Sequence, residues 1–104
     1  MIGVLIKFHY EKDFNEARVR GVADAASKNF VGMPGLRSKA FTVDADKQEA
    51  VNFYVWDSED AARAFFTPQL VERVTGLYGV EPAVQFLQIA ALVENSPVGA
   101  SVAS

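Results

Sequence analysis

Ala50-Val-Asn-Phe-Tyr-Val-Trp-Asp-Ser-Glu-Asp60 is where an alternating, β-rich run stops and a helix begins. Strand side chains switch faces with a period of two, so Asn52, Tyr54 and Trp56 share one face while Val51, Phe53 and Val55 share the other. The second row buries without difficulty. The first sets an amide and an indole about 13 Å apart along the strand, at roughly 3.3 Å per residue, a span that suits a flat, aromatic-sized molecule lying on the sheet. Ser58 then offers its hydroxyl to the free N–H groups of a helix predicted from Glu59 to Phe66, and Glu59 and Asp60 complement the positive end of that helix.

Upstream, Leu36 to Val43 reads as a strand, and the polar turn Asp44-Ala-Asp-Lys47 makes it the antiparallel hairpin partner of Glu49 to Trp56. Ile2 to Tyr10 is apolar in both of its alternating rows, as in a strand covered on both faces. Asp13 followed by Glu16 gives a capping-box pattern for a helix with Val19, Val22, Ala23, Ala26 and Phe30 on one stripe, closed by Gly32 and by Pro34-Gly35. Downstream, the second helix breaks at Thr67-Pro68 and resumes with Leu70, Val74, Leu77 and Tyr78 before ending at Gly79. Pro82 opens a last strand expected over Ala83 to Val93, and residues 95–104, small and polar, read as a flexible tail after a domain spanning 1–94.

The order is β-α-β-β-α-β, which predicts an α+β, ferredoxin-like fold: a four-stranded antiparallel sheet with its helices on one face. The other face is left bare, and an apolar bare sheet is most simply covered by a second copy, giving a homodimer of dimeric α+β barrel type. The composition agrees. Half of the 104 residues are apolar, and eight Phe, three Tyr and one Trp are a heavy aromatic load for one small domain. Such a load asks for an internal cavity or a covering subunit.

A net charge of −3 without basic runs argues against nucleic acid and anionic membrane as partners. No apolar run approaches the roughly 18 residues of a membrane span, and the N-terminal Met1-Ile-Gly-Val-Leu-Ile-Lys7 reads as a strand and not a signal peptide. The absence of Cys rules out disulfide and thiolate chemistry and fits a reducing cytoplasm. One His and scattered carboxylates do not assemble three or four metal ligands, so no metal site is expected. No Ser occupies a sharp strand-to-helix elbow, and the glycines of Gly32-Met-Pro-Gly35 precede a strand, where they cradle no phosphate.

What remains is an apolar pocket with a few polar groups, the general form of a small-molecule site. Asn52, in the middle of an apolar strand, must find hydrogen-bond partners or cost about 1–3 kcal/mol. Trp56 shares its face, and Arg73 falls between the apolar stripe of its helix and solvent, either a cation at the pocket rim or a surface charge. Phe8, His9, Tyr54, Phe65 and Tyr78 are candidate substrate-binding residues, each with packing, or for His9 a strand-end position, as its plainer role.

With the element order in place, Val51-Asn-Phe-Tyr-Val-Trp-Asp-Ser-Glu-Asp-Ala61, following Met33-Pro-Gly-Leu36, resembles the matching strand and helix start of the antibiotic-biosynthesis monooxygenase superfamily. From Leu5-Ile-Lys-Phe-His-Tyr10 to Tyr78-Gly-Val-Glu81 the chain is also similar to the small monooxygenases of the YdhR type. This resemblance implies oxygenation of phenolic or polyketide-like compounds with molecular oxygen as co-substrate and with no metal, haem or flavin cofactor. It implies that Asn52 and Trp56 contact the substrate carbonyl and oxygen-derived species, and that Arg73 stabilises a substrate anion. Where those enzymes carry a pocket Tyr, this chain has Ala62. Two other readings stand beside a cytoplasmic homodimeric monooxygenase: a non-catalytic small-molecule binder of the same fold, and a haem-degrading enzyme, for which His9 is the one candidate axial ligand.

Overall fold

The computed structural model describes residues 1–95. Four strands, β1 (Ile2–His9), β2 (Leu36–Asp44), β3 (Glu49–Trp56) and β4 (Ala83–Gln88), form one sheet in the order β2-β3-β1-β4, with all neighbours antiparallel. Three helices complete the fold: α1 (Glu16–Ser27), α2 (Glu59–Phe65) and α3 (Pro68–Tyr78), α1 running on into a 3-10 turn, Lys28–Phe30. The ferredoxin-like α+β architecture expected from the element order is the one observed.

Register decides which residues the helices cover. β1 and β3 pair from Ile2 opposite Trp56 to His9 opposite Glu49, so Ile2, Val4, Ile6 and Phe8 lie on the same face as Ala50, Asn52, Tyr54 and Trp56. All eight are buried, and Val19 of α1, Ala62 of α2 and Tyr78 of α3 close over them. β2 adds Lys39, Phe41 and Val43 to this face, and β4 adds Val84, Phe86 and Gln88. The opposite face carries Val51, Phe53 and Val55 at its centre, with Leu5, Ala40, Ala83 and Leu87 beside them and Lys7, Ser38, Thr42 and Gln85 interspersed. It is thus apolar along its middle and polar toward its margins, where the sequence had suggested apolar rows throughout.

The helix ends follow capping chemistry, with one correction. α1 is capped by Asn15, whose side chain accepts from the Arg18 N–H, and not by Asp13. Asp13 has φ 59, a left-handed turn position, so its carboxylate cannot take the cap. α2 and α3 begin as expected, with Ser58 accepting from Ala61 N–H and Thr67 from Leu70 N–H. α3 stops at Gly79, held at φ 84, a conformation that only glycine adopts without strain. Leu77, predicted on the buried stripe, is 49% exposed.

β4 is shorter than predicted. It leaves the sheet after Gln88, although Ile89 to Val93 stays largely apolar. Ile89 packs beside Gly3 on the face away from the helices. Glu94 then reaches Arg37, which is the extra residue of a bulge between Leu36 and Ser38 and also contacts Asp57. Since β4 and β2 are opposite edges of the sheet, residues 89–94 cross one end of it, and Val55 and Gly3 are buried beneath. Of the predicted tail 95–104, residues 96–104 lie outside the described part of the chain.

Candidate functional site

The buried row of β3 lies under a layer of rings. Tyr54 and Trp56 run parallel to each other at 6.1 Å, and Phe65, at the last turn of α2, packs against both, at 5.9 Å from Tyr54 and 5.2 Å from Trp56. Phe66 meets Tyr54 edge-on at 4.8 Å. Phe65 and Phe66 arrive there because α2 is only seven residues long and the Thr67-Pro68 break turns the chain directly above Trp56.

Asn52 is 4% exposed, and its amide donates to the Tyr78 hydroxyl at 3.1 Å. Tyr78 in turn stacks on Phe8, with centroids 3.8 Å apart, and its backbone carbonyl accepts from the Tyr10 hydroxyl at 2.6 Å. The end of α3 is therefore tied to the sheet by a chain of polar contacts inside an apolar layer. Burial holds the Tyr78 phenol above the usual value, against a lowering effect of the Asn52 hydrogen bond. Burial, reinforced by Tyr78, also keeps Tyr54 protonated well beyond the normal phenol range.

Trp56 is 2% exposed, and its Nε1–H has no hydrogen-bond partner among the described residues. An orphaned donor of this kind costs about 1–3 kcal/mol.

The structure brings together Asn52, Trp56, Tyr54, Phe65, Tyr78 and Phe8, but not Arg73 or His9. Arg73 is exposed on α3. His9 belongs to the outward row of β1, on the face away from the helices, and its Nδ1 lies 3.2 Å from Glu49. That position also removes the one candidate axial ligand for haem from the helix-covered side. The open cavity expected between sheet and helices is occupied by Phe65 and Phe66. A groove of about 530 Å³ lies just outside it, lined by Phe66, Thr67, Val71, Thr75 and Glu81 among others, so that the Phe66 ring forms both groove wall and part of the Tyr54–Trp56 packing. A second groove of about 440 Å³ runs between α1 and α3 at Val22, Ala26 and Leu77. Among the described residues no cluster of three or more His, Asp or Glu side chains is placed to hold a metal ion.

One residue of this aromatic layer escaped the sequence reading. Lys39 lies on the helix-covered face, and its Nζ sits 3.5 Å from the ring centroid of Phe30, 4.0 Å from that of Phe41 and 4.3 Å from that of Tyr54. It is the only charged side chain that the four strands place on that face among the described residues. Burial pushes its ammonium down from 10.5 to about 7. The rings restore part of the lost hydration, worth about 0.5–2 kcal/mol. The signal was in the strand: Lys39 alternates with Phe41 and Val43, two residues that face inward.

Comparison with known proteins places this geometry in context. The family model described as Putative mono-oxygenase ydhR matches residues 4–90. Rv0793 of Mycobacterium tuberculosis is 23% identical, with a TM-score of 0.62 over 91% of this chain and 98% of its own. The ActVA-Orf6 monooxygenase of Streptomyces coelicolor, solved with nanaomycin D, is 19% identical, with a TM-score of 0.67 over 91% and 92%. SnoaB, a cofactor-independent oxygenase from Streptomyces nogalater, is 20% identical, with a TM-score of 0.62 over 88% and 95%. At these identities the structural matches establish a shared fold. No curated protein matches the sequence.

Proposed function

Because the chain belongs to the ydhR family of mono-oxygenases, we propose that it oxygenates a small phenol- or anthrone-type aromatic compound on the Asn52–Trp56 row, with O2 as co-substrate and no metal or organic cofactor. The observation that carries this reading is the buried Trp56 N–H, without an acceptor among the described residues, four residues along the strand from the Asn52 amide and walled by aromatic rings.

The chemistry asks little of the protein. Loss of a proton from an acidic phenol or anthrone leaves an anion electron-rich enough to reduce O2. For an anthrone, the ring methylene and one molecule of O2 become a ring carbonyl and one molecule of water, and the balance closes with all electrons supplied by the substrate. The site has to stabilise the anion and the oxygen species that follows it, and to exclude water. Trp56 Nε1–H donates to the substrate or peroxy oxygen, and Asn52 exchanges its bond to Tyr78 for one to the substrate carbonyl. The substrate ring takes the place of Phe65 and Phe66, entering from the groove that Phe66 walls. The nanaomycin D complex of ActVA-Orf6 and the cofactor-independent chemistry named for SnoaB support the choice of substrate and of mechanism. A second copy of the chain covers the part of the opposite face around Val51 and Phe53, which the chain itself leaves partly exposed.

The test is oxygen consumption with anthrone and hydroquinone compounds. Turnover by the wild-type protein, reduced about 100-fold or more in both Asn52→Ala and Trp56→Phe, is the expected result. Absence of turnover, or turnover indifferent to both substitutions, overturns the mechanism. Tight binding of the same compounds without oxygen uptake would favour a non-catalytic carrier.

A further inference from the structure

An anion formed in this site needs something to accept its proton and something to balance its charge. Arg73 faces solvent and His9 lies on the far side of the sheet. Among the described residues the four strands nonetheless place one amine on the covered face. Lys39 rises from β2 into a cage whose walls come from three elements: Phe41 on its own strand, Tyr54 on β3 and Phe30 on the 3-10 turn after α1. Two of these rings border the proposed substrate position, since Phe30 and Tyr54 each lie 5.9 Å from Phe65.

The surroundings of Lys39 set it apart from an ordinary strand lysine. No carboxylate lies within ion-pair distance of it among the described residues, whereas Arg37, two positions away, is engaged by both Asp57 and Glu94. The titratable group packed against it is the Tyr54 phenol, which burial keeps neutral, with Tyr78 behind. Burial without a carboxylate partner favours the neutral amine and lowers its value to about 7, while the three ring faces favour the ammonium and oppose part of that effect.

We infer that Lys39 is the proton acceptor of this site: its neutral amine takes the acidic proton of a phenol or anthrone, and the ammonium so formed stays as counter-cation to the aromatic anion. This rests on the oxygenase reading and assigns the step which that reading leaves open. The substrate O–H or C–H bond breaks as an N–H bond forms at Nζ. For an anthrone, the anion adds O2 at the ring carbon that lost the proton to give a peroxide; loss of the remaining C–H proton forms the carbonyl as the O–O bond breaks, and the distal oxygen leaves as water with that proton and the one returned by the ammonium. The four-carbon stem of lysine lets Nζ swing from the cage toward a substrate ring in the Phe65 position.

The cage also fits the substrate class. A flat aromatic anion stacks between rings as a neutral aromatic does, while its charge requires a cation that is itself poorly hydrated. The compounds selected are those acidic enough to give a proton to an amine of this kind, which favours phenols carrying electron-withdrawing groups, anthrones and hydroxyquinones over simple phenol.

Two variants of the full-length protein test this. Lys39→Met keeps the stem volume and removes the amine, and Lys39→Arg keeps a cation that accepts no proton. The first readout is the visible spectrum of 4-nitrophenol bound at a pH where the free compound is mostly protonated. Wild type and Lys39→Arg should bind the coloured anion, and Lys39→Met should bind it at least tenfold more weakly or as the colourless neutral form. The second readout is the pH profile of kcat/KM with an anthrone. Wild type should rise through a midpoint near 7, and both variants should lose about 100-fold or more with that limb gone. Wild-type protein that captures no anion, or variants that match it in both readouts, overturns the proposal. Lys39-dependent capture of nitrophenolate by a wild-type protein that consumes no oxygen would end the oxygenase reading and leave Lys39 as an anion receptor. Undiminished oxygenation by both variants would do the reverse.

Discussion

At the scale of single residues the molecule keeps two groups in places that cost it stability. The Trp56 N–H lacks an acceptor among the described residues. In Trp56→Phe the relief of that unsatisfied donor offsets the packing lost with the smaller ring, so thermal unfolding should show a stability change below about 1 kcal/mol while oxygenation falls. A loss several-fold larger would mean that the indole is held by contacts other than ring packing. Lys39 carries the second cost, and its sign with pH is fixed by linkage. Its folded value is near 7 against 10.5 in the unfolded chain, so between these values the unfolded state binds a proton that the folded state does not. The penalty is complete below about pH 7 and fades as the pH rises toward 10.5. The stability advantage of Lys39→Met over wild type should therefore shrink across that window in denaturant titrations. The buried phenols of Tyr54, Tyr78 and Tyr10, all raised by burial first, act on the other side. Their contribution is complete below about pH 10 and declines above it.

At the scale of elements, the aromatic layer over β3 exists because α2 is short and α3 starts afresh. Thr67 and Pro68 restart the helix, which leaves Phe65 and Phe66 turned down onto β3. Thr67→Ala removes the side chain that accepts from Leu70 N–H and should cost about 1 kcal/mol. It should also loosen the joint, seen as faster amide exchange in α2 than in β3. These elements were largely legible. The bounds of β3 followed from strict alternation ending at Ser58, and the α2–α3 break followed from proline's missing N–H. The start of α1 was not, because Asp13 and Asn15 are both good caps by type and only the left-handed backbone at Asp13 decides between them. The end of β4 was hidden as well: Ile89 and Leu92 look like strand residues, yet they serve a crossing segment pinned by Arg37 and Glu94. Lys39 was missed because a lysine in a strand is usually read as facing water, while the inward row it belongs to puts it under the helices.

At the scale of the whole molecule, the sheet has one face covered by helices over β1 and β3 and one only partly covered. Val51 and Phe53 remain partly exposed at the centre of the second face, where Phe53 lies over Gly3. A charge placed there would be desolvated in a sheet-to-sheet dimer and harmless in a monomer. Phe53→Lys should therefore shift the protein from dimer to monomer in sedimentation velocity, with its far-ultraviolet dichroism kept. A wild-type protein that sediments as a monomer at micromolar concentration would remove the dimer from the proposal.

The double duty of Phe66 has a kinetic consequence. One ring bounds the outer groove and also completes the inner aromatic packing, so a guest entering by the groove, as proposed, would reach Trp56 only once that ring had swung aside. Stopped-flow quenching of the lone tryptophan should then level off at high ligand concentration, the plateau recording how often the turnstile opens. In Phe66→Ala the same trace should climb in proportion to ligand with no ceiling.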